Sequence, residues 1–227
     1  VKPDVSVVIP VYNGARYLAE AIGSVGTDPQ VEVIVVDDGS DDNSADVATG
    51  CDGVRLIRQE HAGVGAARNR GIAAAGCPWI ALLDADDVWG EGKLRHQLAA
   101  FASSPTLAIA YCLVEEFVTP DLPPAERAGV TARPGRHPAP LPSTLLFRRE
   151  VADRIGGFGG STTAGGDLDW QLRARDAGLE MAPVTAAVVY RRLHGSNSGR
   201  VTRPDQHAEY LRALKRSIDR RRGSASQ

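Results

Sequence analysis

The chain has 227 residues, 43% of them apolar and 24% charged, which suits one large domain or two small ones with a real core. Its formal net charge is −2, so no overall field favours nucleic acid or a membrane. Three scattered cysteines, Cys51, Cys77 and Cys112, with no C-x-x-C spacing, argue against a zinc site or a disulfide framework and point to a reducing, cytoplasmic setting.

The start, "VKPDVSVVIPVYN", leads straight into a strand, so no signal peptide is expected, and no apolar run approaches the ~18 residues of a membrane span. Four short β-branched runs follow one another: Val5–Pro10, Val31–Asp38, Val54–Gln59 and Trp79–Asp84. Such runs fit strands buried on both faces. Between them lie helical patterns. The first is "ARYLAEAIGSV". The second is "NSADVATG", with Asn43 or Ser44 as its cap. The third is "GVGAARNRGIAAAG". The alternation predicts a mostly parallel α/β sheet flanked by helices.

Beyond Trp89 the pattern predicts a helix from Lys93 to about Ala102 and a strand over Leu107–Phe117. Residues 118–142 are rich in proline and read as a long loop. "STLLFRREVADRIGGF" reads as a strand running into a short helix, "GDLDWQLRARDAG" as an amphipathic helix stopped by Gly178, and "VTAAVVYRRL" as a last strand. A terminal helix over 206–222 follows, whose basic run "RALKRSIDRRR" reads as a solvated helix end, with a weak membrane-surface or partner role as the alternative. Residues 223–227 form a tail. The whole of 1–222 is expected to be one domain.

The stretch "WIALLDADDVW" sets Asp84, Asp86 and Asp87 directly after a buried run. Like charges ~4–6 Å apart repel by a few kcal/mol at an effective dielectric of ~20. A solvated turn explains them plainly; a divalent cation and the phosphates it holds explains them more sharply. In open α/β sheets, ligands bind beyond the carboxyl ends of the strands. Here "PVYN", "VVDDGSDDNS" and "LLDADDVW" each follow a buried run and share one predicted rim.

Taken in order, "VSVVIPVYNGARYLAEAIGSV", "VIVVDDGSDDNS", "GVGAARNRGIAAA" and "WIALLDADDVW" resemble the successive blocks of glycosyltransferase family 2, with its GT-A fold. "STLLFRREVADRIGGF", "GDLDWQLR" and "YRRLHGSNS" resemble that family's acceptor-side blocks, so the likeness covers about residues 4–200. The resemblance implies a single GT-A domain: a nucleotide-sugar half over 4–117, the proline-rich loop over 118–142, an acceptor-side half over 143–205, then the terminal helix. It implies an inverting transferase that moves a sugar from a nucleotide diphosphate, UDP first with dTDP and GDP as alternatives. It also implies Mn²⁺ or Mg²⁺, an acceptor of unspecified class and no nucleic acid, and it leaves a homodimer open. A carboxylate-held metal would neutralise charge on the leaving diphosphate.

Residue by residue, the resemblance makes Asp86 the metal ligand, with His194 as a further metal or diphosphate contact or neither. Asp84 faces the ribose or a nearby Arg. Asp87 is a cap or a ligand. Pro10, Val11, Tyr12, Asn13 and Ala85 lie along the nucleotide. Tyr12 offers a ring to the base, or packs its own loop. Asp38 matches the acceptor of the uracil N3–H, with Asp37 capping the loop. Arg68 reaches the base or Asp84, or forms a surface ion pair. Asp167 matches the catalytic base, though Gly166 stands where a Glu is usual. An N-cap role for Asp167 is the alternative, and Asp169 is the runner-up. Trp170 lines the acceptor pocket or packs the core. Ser196, Asn197 and Ser198 could close over the donor. Two other functions compete: an inactive relative that binds a nucleotide or a protein, favoured by Gly166, and a nucleotidyltransferase, disfavoured because "PVYNGARY" lacks a Gly-rich basic loop.

Overall fold

The computed structural model describes residues 4–26, 31–120, 122–123, 127, 129–159, 164–195, 197 and 204–224. Strands β1 (Val5–Val11), β2 (Val31–Asp37), β3 (Val54–Arg58) and β4 (Trp79–Leu82) alternate with helices α1 (Ala15–Val25), α2 (Ser44–Thr49) and α3 (Val64–Ala74). After them come β5 (Val88–Trp89), α4 (Lys93–Ser103), β6 (Leu107–Val118), β7 (His137–Pro138) and β8 (Leu146–Arg148). The chain closes with α5 (Arg149–Ile155), α6 (Ala164–Asp176), β9 (Glu180–Leu193) and α7 (Pro204–Ser224).

One sheet runs in the order β3-β2-β1-β4-β8-β6-β9-β5, with β7 paired to β6. The first four strands are mutually parallel, as their continuous apolar runs require. At β8 the direction reverses: it pairs antiparallel with both β4 and β6. The long β6 and β9 then run parallel from Leu107↔Glu180 to Val118↔Leu193.

Side chains alternate across the sheet and feed two cores. Val7, Ile9, Val35 and Ala81 pack with Leu18 and Ile22 of α1 and Phe101 of α4. Val8, Ile34, Val36 and Leu82 pack on the other face with Ala67 of α3, Val151 of α5 and Trp170 of α6. Trp170 is fully buried, stacked on Phe158 with centroids 4.9 Å apart and tilted against Phe147. It is therefore a core residue and lines no acceptor pocket.

Four expectations change. Helix α6 is not a one-sided amphipathic helix; Trp170 and Ala174 face the sheet, Leu172 is buried too, and Asp169 and Asp176 face α7. It begins at Ala164, so Asp167 lies within its first turn and is not its cap. The basic run on α7 is not simply solvated. Arg216 pairs with Asp169 at 3.0 Å, while Arg220 and Arg221 pair with Asp176 at 2.9 and 3.1 Å. Finally, α2 has no side-chain cap from Asn43; Ser44 instead donates to Asp42. The short strands β5 and β7 are too brief to leave a periodic signal, and β9 starts earlier than the apolar run "VTAAVVYRRL" suggests. The stop at Gly178 is as expected, with a left-handed φ of +71° and its N–H bonded to the Arg175 carbonyl.

Two glycines set how closely α3 approaches its neighbours. A Cβ on Gly71 would lie 2.3 Å from Val8 Cγ1, and one on Gly65 would lie 2.0 Å from the Gly159 carbonyl oxygen. The second contact is backbone against helix, so no rotamer relieves it. Gly65→Ala should lower stability by about 1–3 kcal/mol through overpacking. Gly23, in α1, meets nothing within 4 Å, and Gly23→Ala should raise stability by about 0.5–1 kcal/mol. Urea denaturation of the two variants should give shifts of opposite sign.

Candidate active site

The loops after β1 and β2 fold as one unit. Asn13, at φ +50°, accepts hydrogen bonds through Oδ1 from the Asp41 and Asp42 amides, and its own N–H donates to Ser40 Oγ. Helix α1 opens without a cap of its own; Asp42 Oδ2 accepts from the Ala15 amide, and Ser44 Oγ from the Gly14 amide. Asn tolerates the left-handed region better than other non-glycine residues, which suits position 13. Pro10 and Val11 are buried strand residues; the burial of β1 continues through both. Pro10 lies past the last β1–β4 pair, Val8↔Leu82, so its missing N–H is tolerated there. What β1 delivers to the rim is Tyr12, 47% exposed and stacked on His61 at 4.0 Å. Ala85 faces Gly14 across the same rim.

Asp38 is not the open acceptor the resemblance suggests. It is 2% exposed, and its carboxylate already accepts from the Gln59 side chain at 2.6 Å and the Ala62 and Gly63 amides at 3.0 and 2.8 Å. His61 Nδ1 lies 3.0 Å from the same carboxylate. Asp38 thus shapes the loop that opens α3 and holds the His61 ring against Tyr12. Asp37 does cap its loop, accepting from the Ser40 amide at 2.9 Å, and also pairs with Arg58.

At the centre lies Arg68, 2% exposed. One Nη donates to Asp84 Oδ1 at 2.8 Å and the other to Asp167 Oδ1 at 2.6 Å. The surface ion-pair reading is thus excluded, and Arg68 joins the β4 rim to the first turn of α6. Burial alone would lower the Arg68 pKa, but the charges of Asp167 and Asp84 outweigh it and hold it raised. Burial raises the Asp167 carboxyl above its usual value; Arg68 opposes that rise and the Asp84 charge adds to it. Asp169 does not share this site. It is spent on Arg173 at 2.9 Å and on Arg216. Beside Asp167, Gly165, Gly166, Asp169, Glu209, Arg212 and Arg216 line a cavity of about 180 Å³.

Asp86 meets the end of β9. The two-residue β5 pairs antiparallel with β9, Val88↔Tyr190 and Trp89↔Val189, and so lays the "DADD" turn beside His194. His194 Nε2 lies 2.9 Å from Asp86 Oδ2, and the Asn197 amide donates to the same oxygen at 3.0 Å. Arg192 Nε donates to the Asp86 carbonyl, and its guanidinium covers the Tyr17 ring at 4.6 Å. Among the described residues no three His, Cys, Asp or Glu side chains gather around one point. One carboxylate and one imidazole suffice for Mg²⁺ or Mn²⁺ when diphosphate oxygens and water complete the shell, so this donor set fits such an ion. Ser196 and Ser198 lie outside the described residues; Asn197 is buried and fixed to Asp86 and to the Arg192 carbonyl.

Asp87 is not a turn cap, and both of its carboxylate oxygens are already bonded within the protein. It is 5% exposed, accepts from the Ser143 hydroxyl at 2.6 Å and accepts from the Arg192 amide at 3.2 Å. Burial, with the Asp86 and Asp84 charges behind it, pushes its carboxyl well above the usual range. Ser143, Arg192 and His61 gave no motif of their own in the sequence. Arg192 and Ser143 sit inside quoted blocks, but only the pairing of β5 and β8 brings them to the carboxylates.

The mixed sheet with an Asp-rich turn at its parallel rim matches the GT-A glycosyltransferase fold. The family model described as "Glycosyl transferase family 2" matches residues 6–156, and the chain belongs to that family. An uncharacterized glycosyltransferase of Nostoc sp. (strain PCC 7120) is 37% identical over 170 residues, 66% of this chain and 52% of that protein. The succinoglycan biosynthesis protein ExoU of Rhizobium meliloti is 36% identical over 52% of this chain and 40% of its own length. These matches span about half or less of the relatives' lengths. Among solved structures, S. aureus TarS 1–349 in complex with UDP-GlcNAc superposes with a TM-score of 0.73 at 17% identity, covering 96% of this chain and 66% of that one. The mannosyltransferase PcManGT from Pyrobaculum calidifontis, in complex with GDP-Man and Mn²⁺, gives 0.64 at 18% identity over 99% and 64%. At these identities the likeness fixes the fold.

The Asp87 environment favours a neutral side chain. Asp87→Asn should therefore fold with near-unchanged stability, since an amide still accepts from Arg192 N–H and can donate to Ser143. Asp87→Ala should lose about 1–3 kcal/mol, because both partners are left unsatisfied. Parallel urea titrations check the contrast.

Proposed function

We propose that this domain transfers a sugar, with inversion, from a nucleotide diphosphate sugar, UDP first, to an acceptor hydroxyl. The observation that carries the proposal is the Arg68 bridge. It holds Asp84, on the donor-side rim, and Asp167, on the acceptor-side helix, within one hydrogen-bonded unit at 2.8 and 2.6 Å. In this reading the base stacks on the Tyr12–His61 platform. Uracil selection then does not rest on a free Asp38 carboxylate; Asp38 acts through His61. The solved neighbours in complex with UDP-GlcNAc or with GDP-Man support a nucleotide-sugar donor as a class.

Asp86 and His194 would hold Mn²⁺ or Mg²⁺, which supplies charge neutralisation on the departing diphosphate. Asp167 takes the acceptor hydroxyl proton onto its free carboxylate oxygen. The acceptor oxygen bonds to the anomeric carbon from the side opposite the diphosphate. The bond from that carbon to the phosphate oxygen breaks, and the nucleotide diphosphate leaves with the electron pair. A carboxyl raised by burial is a better base than an ordinary one, and Arg68 keeps it ionised and aimed.

Two substitutions separate donor from acceptor roles. Asp86→Ala should abolish the Mn²⁺-dependent part of UDP binding in calorimetry; equal affinity in EDTA for the unaltered protein would sink the metal assignment. Asp167→Asn should leave UDP affinity near wild type and cut transfer, or slow donor hydrolysis by water, by the ~10²–10⁴-fold of a lost general base. Wild-type turnover in Asp167→Asn would remove Asp167 as the base, whereas no turnover by the unaltered protein with any acceptor or with water would favour the nucleotide-binding module that Gly166 hints at. The pH profile follows from the sign of the shift. Asp167 must be ionised to act, and its pKa is raised, so kcat/KM should fall on acidification with a midpoint above the ordinary carboxyl value of 3.8.

A further inference from the structure

Helix α7 has two unlike sides. Its inner side is packed and paired: Ala213 and Ser217 are fully buried, Ser217 donates to Asp176, and Asp169 and Asp176 form ion pairs with Arg216 and Arg220. Its outer side carries Leu211, Leu214 and Ile218, exposed by 67%, 42% and 47%. With Tyr12 these are the exposed large apolar side chains among the described residues. Their i, i+3, i+7 spacing makes one continuous stripe. Exposed Lys215 follows Leu211 by one turn on the same side, and exposed Arg222 follows Ile218 by one turn. The fully buried residues of α7 lie on the other side, while each residue of the stripe leaves 42–67% of its surface exposed.

We propose that this outer face of α7 rests on an anionic phospholipid bilayer. A helix lying in the interface buries an apolar stripe at the headgroup–acyl boundary and sets cations among the phosphates. The face supplies both: three large aliphatic side chains, and Lys215 and Arg222 beside them. A second copy of the chain fits less well. In a parallel two-fold α7–α7 contact Lys215 and Arg222 would each face their own counterparts, so like charges would meet along the apolar seam. The membrane reading depends on α7 alone and is independent of the transferase chemistry.

Vesicle flotation tests it with the full chain. The protein should float with phosphatidylcholine–phosphatidylglycerol vesicles and much less with phosphatidylcholine alone, and raised salt should weaken the binding. Leu211→Gln/Leu214→Gln/Ile218→Gln should lower partitioning by about tenfold or more, with the melting temperature and UDP binding unchanged. Lys215→Glu, which leaves the apolar stripe intact, should weaken only the anionic-lipid part. Absence of flotation with anionic vesicles, or wild-type binding by the triple variant, would overturn the proposal. So would a wild-type dimer that the triple variant converts to a monomer without any vesicle binding, which would assign the stripe to a second copy.

Discussion

A buried guanidinium shared by two carboxylates is the constraint on which the rest of the site depends. Arg68 cannot lose its charge, and a planar fork with parallel donors can hold two acids at fixed separation where a lysine could not. Burying it would be costly without Asp84 and Asp167. The partners in turn lie on different elements, one at the end of β4 and one in the first turn of α6. The geometry of the pair is therefore set by how closely α3 packs. That distance is fixed by two glycines, Gly65 against the Gly159 carbonyl and Gly71 against Val8. Tight backbone contact, rather than any polar interaction, decides where the charges meet.

The three neighbouring carboxylates of the "DADD" turn end in three different environments. Asp84 is neutralised by a cation, Asp86 faces an imidazole and an amide at the edge of solvent, and Asp87 is buried beside a serine. Their mutual repulsion is relieved without any of them leaving the turn. The agent of this separation is β5, whose two residues tie the turn to β9 and bring Arg192 and His194 over it. Sequence spacing alone makes the three look interchangeable; pairing with a strand a hundred residues away makes them distinct.

Most of the framework was legible in the sequence because burial on both faces leaves a direct signature. The four β-branched runs, the intervening helices and the rim at their carboxyl ends stand as expected. The reach of Arg68 to Asp84 followed from matching blocks rather than from periodicity, whereas the blocks offered His194 only as a metal or diphosphate contact or neither, and its direct contact with Asp86 came from the structure. What stayed hidden is long-range. Asp38 looked like an open acceptor because nothing local reveals that the Gln59–Gly63 loop folds back onto it. Trp170 gave no sign of which side of α6 faces the sheet, since that helix is covered on both. The arginines of α7 resembled a solvated run because their partners, Asp169 and Asp176, belong to another helix.

The reversal at β8 joins the parallel strands β1–β4 and the later strands β6 and β9 into a single hydrogen-bonded sheet. β8 pairs with β4 on one edge and β6 on the other, and its Phe147 is packed fully inside. Two halves so joined have no cleft-spanning linker about which to swing apart. In the proposed reaction, closure over substrates would therefore fall to the loops along the rim, while the spacing of β4 and β6 is held by β8 between them.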